Sequence, residues 1–101
     1  MRIIGRLPDP QLQISVFEND GRFIVQFEHG GLTQQYRFRK GDGLNHLGHI
    51  EAMVGTDFRN GVRETFGAMR TTHTTALRTR DRARTGDDAN DGTPDDLPTI
   101  I

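Results

Sequence analysis

Between Leu12 and Phe38 apolar and polar side chains alternate with a period of two, interrupted at two glycine-containing pairs. Leu12, Ile14 and Val16 form one run, Phe23, Val25 and Phe27 a second, and Tyr36 and Phe38 a third. That period is the mark of strands with one buried face. Asp20-Gly21 and Gly30-Gly31 separate the runs and supply residues that tolerate positive φ in two-residue hairpin turns. Such a turn at Asp20-Gly21 sets Val16 opposite Val25 and Ile14 opposite Phe27, whereas a three-residue turn would set Ile14 against Gln26 and mix the faces. A second turn at Gly30-Gly31 sets Val25 opposite Tyr36 and Phe23 opposite Phe38. The pattern therefore predicts an antiparallel meander with one apolar face, made of Leu12, Ile14, Val16, Phe23, Val25, Phe27, Tyr36 and Phe38.

The same registers fix the other face. Gln13 falls in line with Glu28 and Thr33, Ser15 with Gln26 and Gln35, and Phe17 with Ile24 and Arg37. Phe17 and Ile24 are apolar on an otherwise polar face, so with Arg37 they form the candidate partner-binding surface.

Flanking segments extend the plan. Met1 to Leu7, with Ile3, Ile4 and Leu7, reads as a further strand ended by Pro8 and Pro10, which have no N–H for a ladder. Asn45 is the expected N-cap of a helix running to about Val54, with Leu47, Ile50, Met53 and Val54 on one arc. After Gly55, Thr56 is expected to cap a second helix whose Phe58, Val62, Phe66 and Met69 keep a helical stripe. The run Thr71 to Thr75 is poor in helix propensity, yet His73, Ala76 and Leu77 stay on the stripe, so the end of this helix is open. The fold class is α+β: an antiparallel meander of three or four strands with two C-terminal helices packed on one face.

Composition changes this picture little. The chain has 101 residues, 33% hydrophobic and 27% charged, as expected for one soluble domain. No apolar run approaches the about 20 residues of a membrane helix, and the start lacks the apolar core of a signal peptide, which together point to the cytoplasm. The absence of cysteine excludes disulfides, thiolate metal sites and cysteine nucleophiles.

Charge is more informative. All 13 lysines and arginines lie at or before Arg84, with nine of the 14 acids, and the remaining five acids follow it. This places a mildly basic domain at residues 1–84 and a disordered acidic tail at residues 85–101.

Candidate chemistry is sparse. His46 and His49, with Glu51 nearby in sequence, are spaced as two metal ligands on a helix, but a closed zinc site needs four ligands and there is no cysteine, so they are expected to be surface histidines. His73 is expected to be partly buried, and His29 belongs to a turn. Gly41-Asp42-Gly43 before a helix has the glycines of a phosphate cradle but neither its third glycine nor a Gly-Lys-Ser/Thr element. Asp87 to Gly92 lacks the third and final ligands of a calcium loop. Ser15, the one serine, lies mid-strand with no histidine placed beside it. We therefore expect no enzyme, metal or cofactor.

Two binding functions remain. One is a protein-interaction module that recognises a partner or itself through Phe17, Ile24 and Arg37 or through an uncovered strand edge. The small core, eight sheet and eight helix residues, favours this, because a domain of this size gains from association. The other is a nucleic-acid or ribonucleoprotein module. Arg59, Arg63 and Arg70 share one flank of the second helix, and Arg78, Arg80, Arg82 and Arg84 continue the basic excess.

Overall fold

The structure, a computed structural model, describes residues 1–86. It is α+β, with four strands, β1 (Arg2–Leu7), β2 (Gln13–Asn19), β3 (Arg22–His29) and β4 (Leu32–Arg39), followed by helices α1 (Leu47–Met53) and α2 (Thr56–Gly86). The strands form one antiparallel sheet in the order β1-β2-β3-β4. The chain divides into two compact units, Met1–Met69 and Arg70–Ile101. The expected tail at residues 85–101 lies almost wholly outside the described residues. No helix among those residues is long and apolar enough to cross a membrane.

The expected registers are present. Val16 pairs with Val25, Ile14 with Phe27, Val25 with Tyr36 and Phe23 with Phe38. Both hairpins close through two residues with positive φ, at 53° and 74° for Asp20 and Gly21 and at 55° and 80° for Gly30 and Gly31. These values match the type I′ turn, whose twist agrees with that of the flanking strands.

β1 is the fourth strand and pairs with β2, but not evenly. Its register slips between Ile3 and Gly5, because Ile3 pairs with Phe17 and Gly5 with Val16. Ile4 is the extra residue of this bulge and packs against the core, whereas Ile3 is exposed. Gly5 lies so close to Leu47 of α1 that an added Cβ would stand 2.6 Å from Leu47 Cδ2.

All sixteen expected core residues belong to the core or pack against it. Leu7 is buried with them, and Ile4, Leu32 and Leu44 are partly buried. In α2, Gly61 and Gly67 cost roughly 1 kcal/mol each in helix propensity. Burying Val62 and Phe66, at 1% and 2% exposure, contributes about 3 to 6 kcal/mol and outweighs that cost.

Three local expectations are corrected. Asn45 is not the cap of α1: His46 is the N-cap residue and makes no side-chain cap bond, while the backbone N–H of Asn45 donates to His49 Nδ1 at 2.9 Å. The imidazole, one turn along, reaches back to a loop amide that an asparagine cap would have left free. Thr56 is the first residue of α2 rather than its cap, a one-residue difference of the usual size at helix ends. α2 continues through the threonine run to Gly86, and His73 on it is exposed rather than partly buried. Thr75 and Thr79 donate their hydroxyls to the carbonyls of Thr71 and Thr75, so these side chains bond within the helix instead of ending it.

Candidate functional site

The densest polar constellation in the Met1–Met69 unit is built on Asp9, between two prolines in the β1–β2 connection. Oδ1 accepts from the backbone N–H groups of Gln11 and Leu12 at 2.8 and 2.9 Å, which shapes the turn into β2. Arg63 Nη2 donates to Oδ1 and Oδ2 at 3.0 and 2.8 Å, and Arg59 Nη1 donates to Oδ2 at 3.1 Å. The carboxylate is only 1% exposed. Burial raises its pKa, but the bonds from Gln11, Leu12, Arg59 and Arg63 outweigh it and hold the value at about 2.

The two arginines are spent on the same junction. Arg59 also donates to the carbonyls of Val54 and Pro8, and Arg63 Nε donates to Gln11 Oε1. These expected phosphate contacts are thus engaged inside the chain, tying α2 to the β1–β2 connection and to the end of α1. No sequence pattern pointed to Asp9, since its partners lie 50 and 54 residues away.

A second constellation sits on the apolar face. Gln34, 7% exposed, donates from Nε2 to the carbonyl of Val62 at 2.9 Å and accepts at Oε1 from the Tyr36 hydroxyl. Around it the rings of Phe27, Tyr36, Phe38 and Phe58 meet, with Phe58 centred 5.2 Å from Tyr36 and 5.5 Å from Phe27. Gln34 pairs with Phe27 and has the parity of Tyr36 and Phe38, which puts it on the inner face, although no apolar pattern marks a glutamine there.

On the outer sheet face, Phe17, Ile24 and Arg37 are neighbours in one row, as expected. Ile24 is only 4% exposed and so already buried by the chain itself, while Phe17 is half-buried and Arg37 exposed. Ile3 extends this row onto β1 at 46% exposure. Below it runs an amide ladder in which Gln35 donates to Gln26 and Gln26 to Glu28. At the far end of the inner face, Glu18 accepts from Lys40 at 2.6 Å and Arg2 at 2.8 Å. Its pKa is lowered chiefly by the Lys40 bond.

The arginines of the Arg70–Gly86 segment are all exposed. Arg80 and Arg84 pair with Asp81, whereas Arg78 and Arg82 extend without an ion pair among the described residues.

The histidine and glycine motifs are accounted for by local structure. His46 and His49 stack with ring centroids 3.8 Å apart, and no group of three potential metal ligands occurs among the described residues. Gly41 to Leu44 closes as a tight turn in which each terminal residue's N–H bonds the other's carbonyl, so those amides are not aimed at an anion. Compared with protein-family models, curated proteins and solved structures, the chain has no match.

Proposed function

We propose that this chain is a non-enzymatic interaction module that pairs with a second copy of itself along the free edge of β4. The observation that carries the reading is the edge itself: eight residues paired to β3 at every position without a bulge, and with no strand on the other side among the described residues. Because the Gly30-Gly31 turn makes His29 and Leu32 a hydrogen-bonded pair, alternation turns the N–H and C=O groups of Leu32, Gln34, Tyr36 and Phe38 toward β3. Those of Thr33, Gln35, Arg37 and Arg39 point away from it. By contrast β1, the other edge, is bulged, followed by Pro8 and touched by α1.

Charge and apolar surface select a register. A two-fold axis at Gln35 sets Thr33 opposite Arg37 of the second copy, and keeps the arginines apart; an axis at Arg37 would set the two arginines face to face. The Gln35 register also brings Leu32 opposite Phe38 and Gln34 opposite Tyr36 on the inner face. Leu32, Tyr36 and Phe38 are each half-buried in the single chain, so association would bury them further. The non-enzymatic part rests on the polar groups being in structural use: Asp9 is saturated by donors, and Ser15 is 3% exposed mid-strand.

Sedimentation across a micromolar concentration series tests the reading, with Gln35→Pro beside the wild type. Proline removes an outward N–H without touching the β3 ladder, so it should give a folded monomer where the wild type dimerises. A wild type that stays monomeric throughout, or a dimer indifferent to Gln35→Pro, would sink the proposal. Because the chain has no cysteine, Gln35→Cys adds a register check: it should form an oxidised dimer faster than Arg39→Cys.

A further inference from the structure

The registers also collect charge that is not concentrated in any one part of the sequence. Arg22 and Arg39 pair across the sheet, Arg37 pairs with Ile24, and Arg6 pairs with Ser15, so all four arginines project from the outer face. All four are exposed, and none makes a hydrogen bond or ion pair among the described residues. This sets them apart from Arg59 and Arg63, which grip Asp9, and from Lys40 and Arg2, which grip Glu18. The strands place one acid, Glu28, on this face, at the end away from Arg22 and Arg39 and already accepting from Gln26.

We propose that the outer face of the sheet binds single-stranded nucleic acid, with Arg6, Arg22, Arg37 and Arg39 holding phosphates and Phe17 receiving a base. Unpaired guanidiniums are ready donors to phosphate oxygens, and their desolvation is not repaid by any carboxylate of the described chain. Phe17 lies in the middle of the patch, one row from Arg22 and two strands from Arg37, on a floor formed by buried Ile24. Gln26 and Gln35 add donors and acceptors beside it. The positions extend about 14 Å along the strands and about 14 Å across them, enough for a few nucleotides. Unstacked bases can lie on a ring while their backbone follows the charges, which is how a single strand fits this surface. The inference is independent of edge pairing, which uses backbone groups of β4.

The experiment is fluorescence anisotropy of the full chain with labelled oligo(dT) and oligo(U), an unlabelled duplex of equal length, and phosphatidylserine vesicles as competitors. With up to four phosphates neutralised, the logarithm of affinity should fall with that of salt at a slope of about −2 to −3. Arg22→Glu/Arg37→Glu should weaken binding more than about tenfold, and Phe17→Ala about fivefold, with melting curves verifying that each variant is folded. Arg78→Glu/Arg82→Glu on α2 should leave affinity within about twofold. No single-strand binding at low salt, loss through the α2 variant in place of the sheet variant, or stronger competition by duplex or vesicles than by unlabelled single strand would each overturn the proposal. Should Phe17→Ala unfold the chain, Phe17→Leu, which retains bulk but not the ring, must reproduce the loss.

Discussion

Arg63 closes on Asp9 across 54 residues of sequence, its Nη2 donating to both carboxylate oxygens at 3.0 and 2.8 Å. With Arg59 on the same carboxylate, this joins the entry to β2 with the first turns of α2. Because the pKa of Asp9 is held near 2 in the folded chain against an ordinary 3.8, its ionised form is favoured by folding. That contribution is fully present above about pH 4 and fades as the pH falls toward 2. Linkage puts it at about 2 kcal/mol, less what water at the partly exposed arginines screens away.

Asp9→Asn should therefore lower stability at neutral pH by about 1 to 2 kcal/mol and flatten the stability profile between about pH 4 and 2. Asp9→Ala should cost more, since it also removes the acceptor for the Gln11 and Leu12 amides. Urea melts of the three proteins at several pH values measure this. A wild-type profile no steeper than that of Asp9→Asn would show that the carboxylate does not matter to folding.

Gln34 gives a prediction with the opposite pH sense. Its amide donates to the Val62 carbonyl and accepts from Tyr36. Gln34→Glu keeps the acceptor but turns an ionised oxygen toward a carbonyl in a nearly dry setting, at a cost of about 2 to 3 kcal/mol. Once protonated, the introduced carboxyl would donate to that carbonyl again, so its folded pKa should be raised and stability regained as the pH falls below about 5. Thermal melts on either side of that pH, one mildly acidic and one near neutral, should bring the variant closer to the wild type in acid. Gln34→Leu, which has no charge to titrate, should show no such recovery.

The meander was legible because two turn sequences and one period of two over-determine each other: shifting either register by one residue would put Gln26 or Gln35 in the core. The same logic reached the α2 stripe, where Phe58, Val62, Phe66 and Met69 repeat at helical spacing. It did not reach the Asp9 junction, because an ion pair spanning 50 residues leaves no local periodicity. Nor did it single out Gln34, whose amide is polar by type and internal by position. The arginines show the limit best. Arg59 and Arg63 looked free on a helical wheel that cannot see Asp9, while Arg6, Arg22, Arg37 and Arg39 are scattered in sequence and meet only after three strand pairings.

The bulge in β1 predicts a coupling. An alanine methyl at Gly5 would meet the end of the Leu47 side chain at 2.6 Å, and Leu47 is only partly buried, so it has room to turn. Gly5→Ala should cost about 1 kcal/mol, and Gly5→Val more than about 2 kcal/mol. In a Leu47→Ala background the cost of Gly5→Ala should largely vanish, a double-mutant coupling of about 1 kcal/mol. Additive melts would mean that the strain at Gly5 lies in the backbone of the bulge and not against α1.

Along α2 the side-chain environment changes at Met69. Val62 and Phe66 are buried and Phe58 and Met69 half-buried, whereas from Arg70 to Arg84 no side chain is buried and Leu77 is 38% exposed. The later segment therefore holds its helix with backbone bonds and the Asp81 pairs with Arg80 and Arg84, which at exposed positions contribute a few tenths of a kcal/mol each, while the threonine back-bonds add no helix stability. A helix so supported opens in preference to one anchored by a core. Hydrogen exchange should find amides of residues 72–84 exchanging at least about a hundredfold faster than those of Val62 to Met69, and raised salt should widen the gap by screening the Asp81 pairs. Equal protection on both sides of Met69 would show that something covers the later segment, and a second copy of the chain would then be the first candidate, to be checked by repeating the exchange with Gln35→Pro.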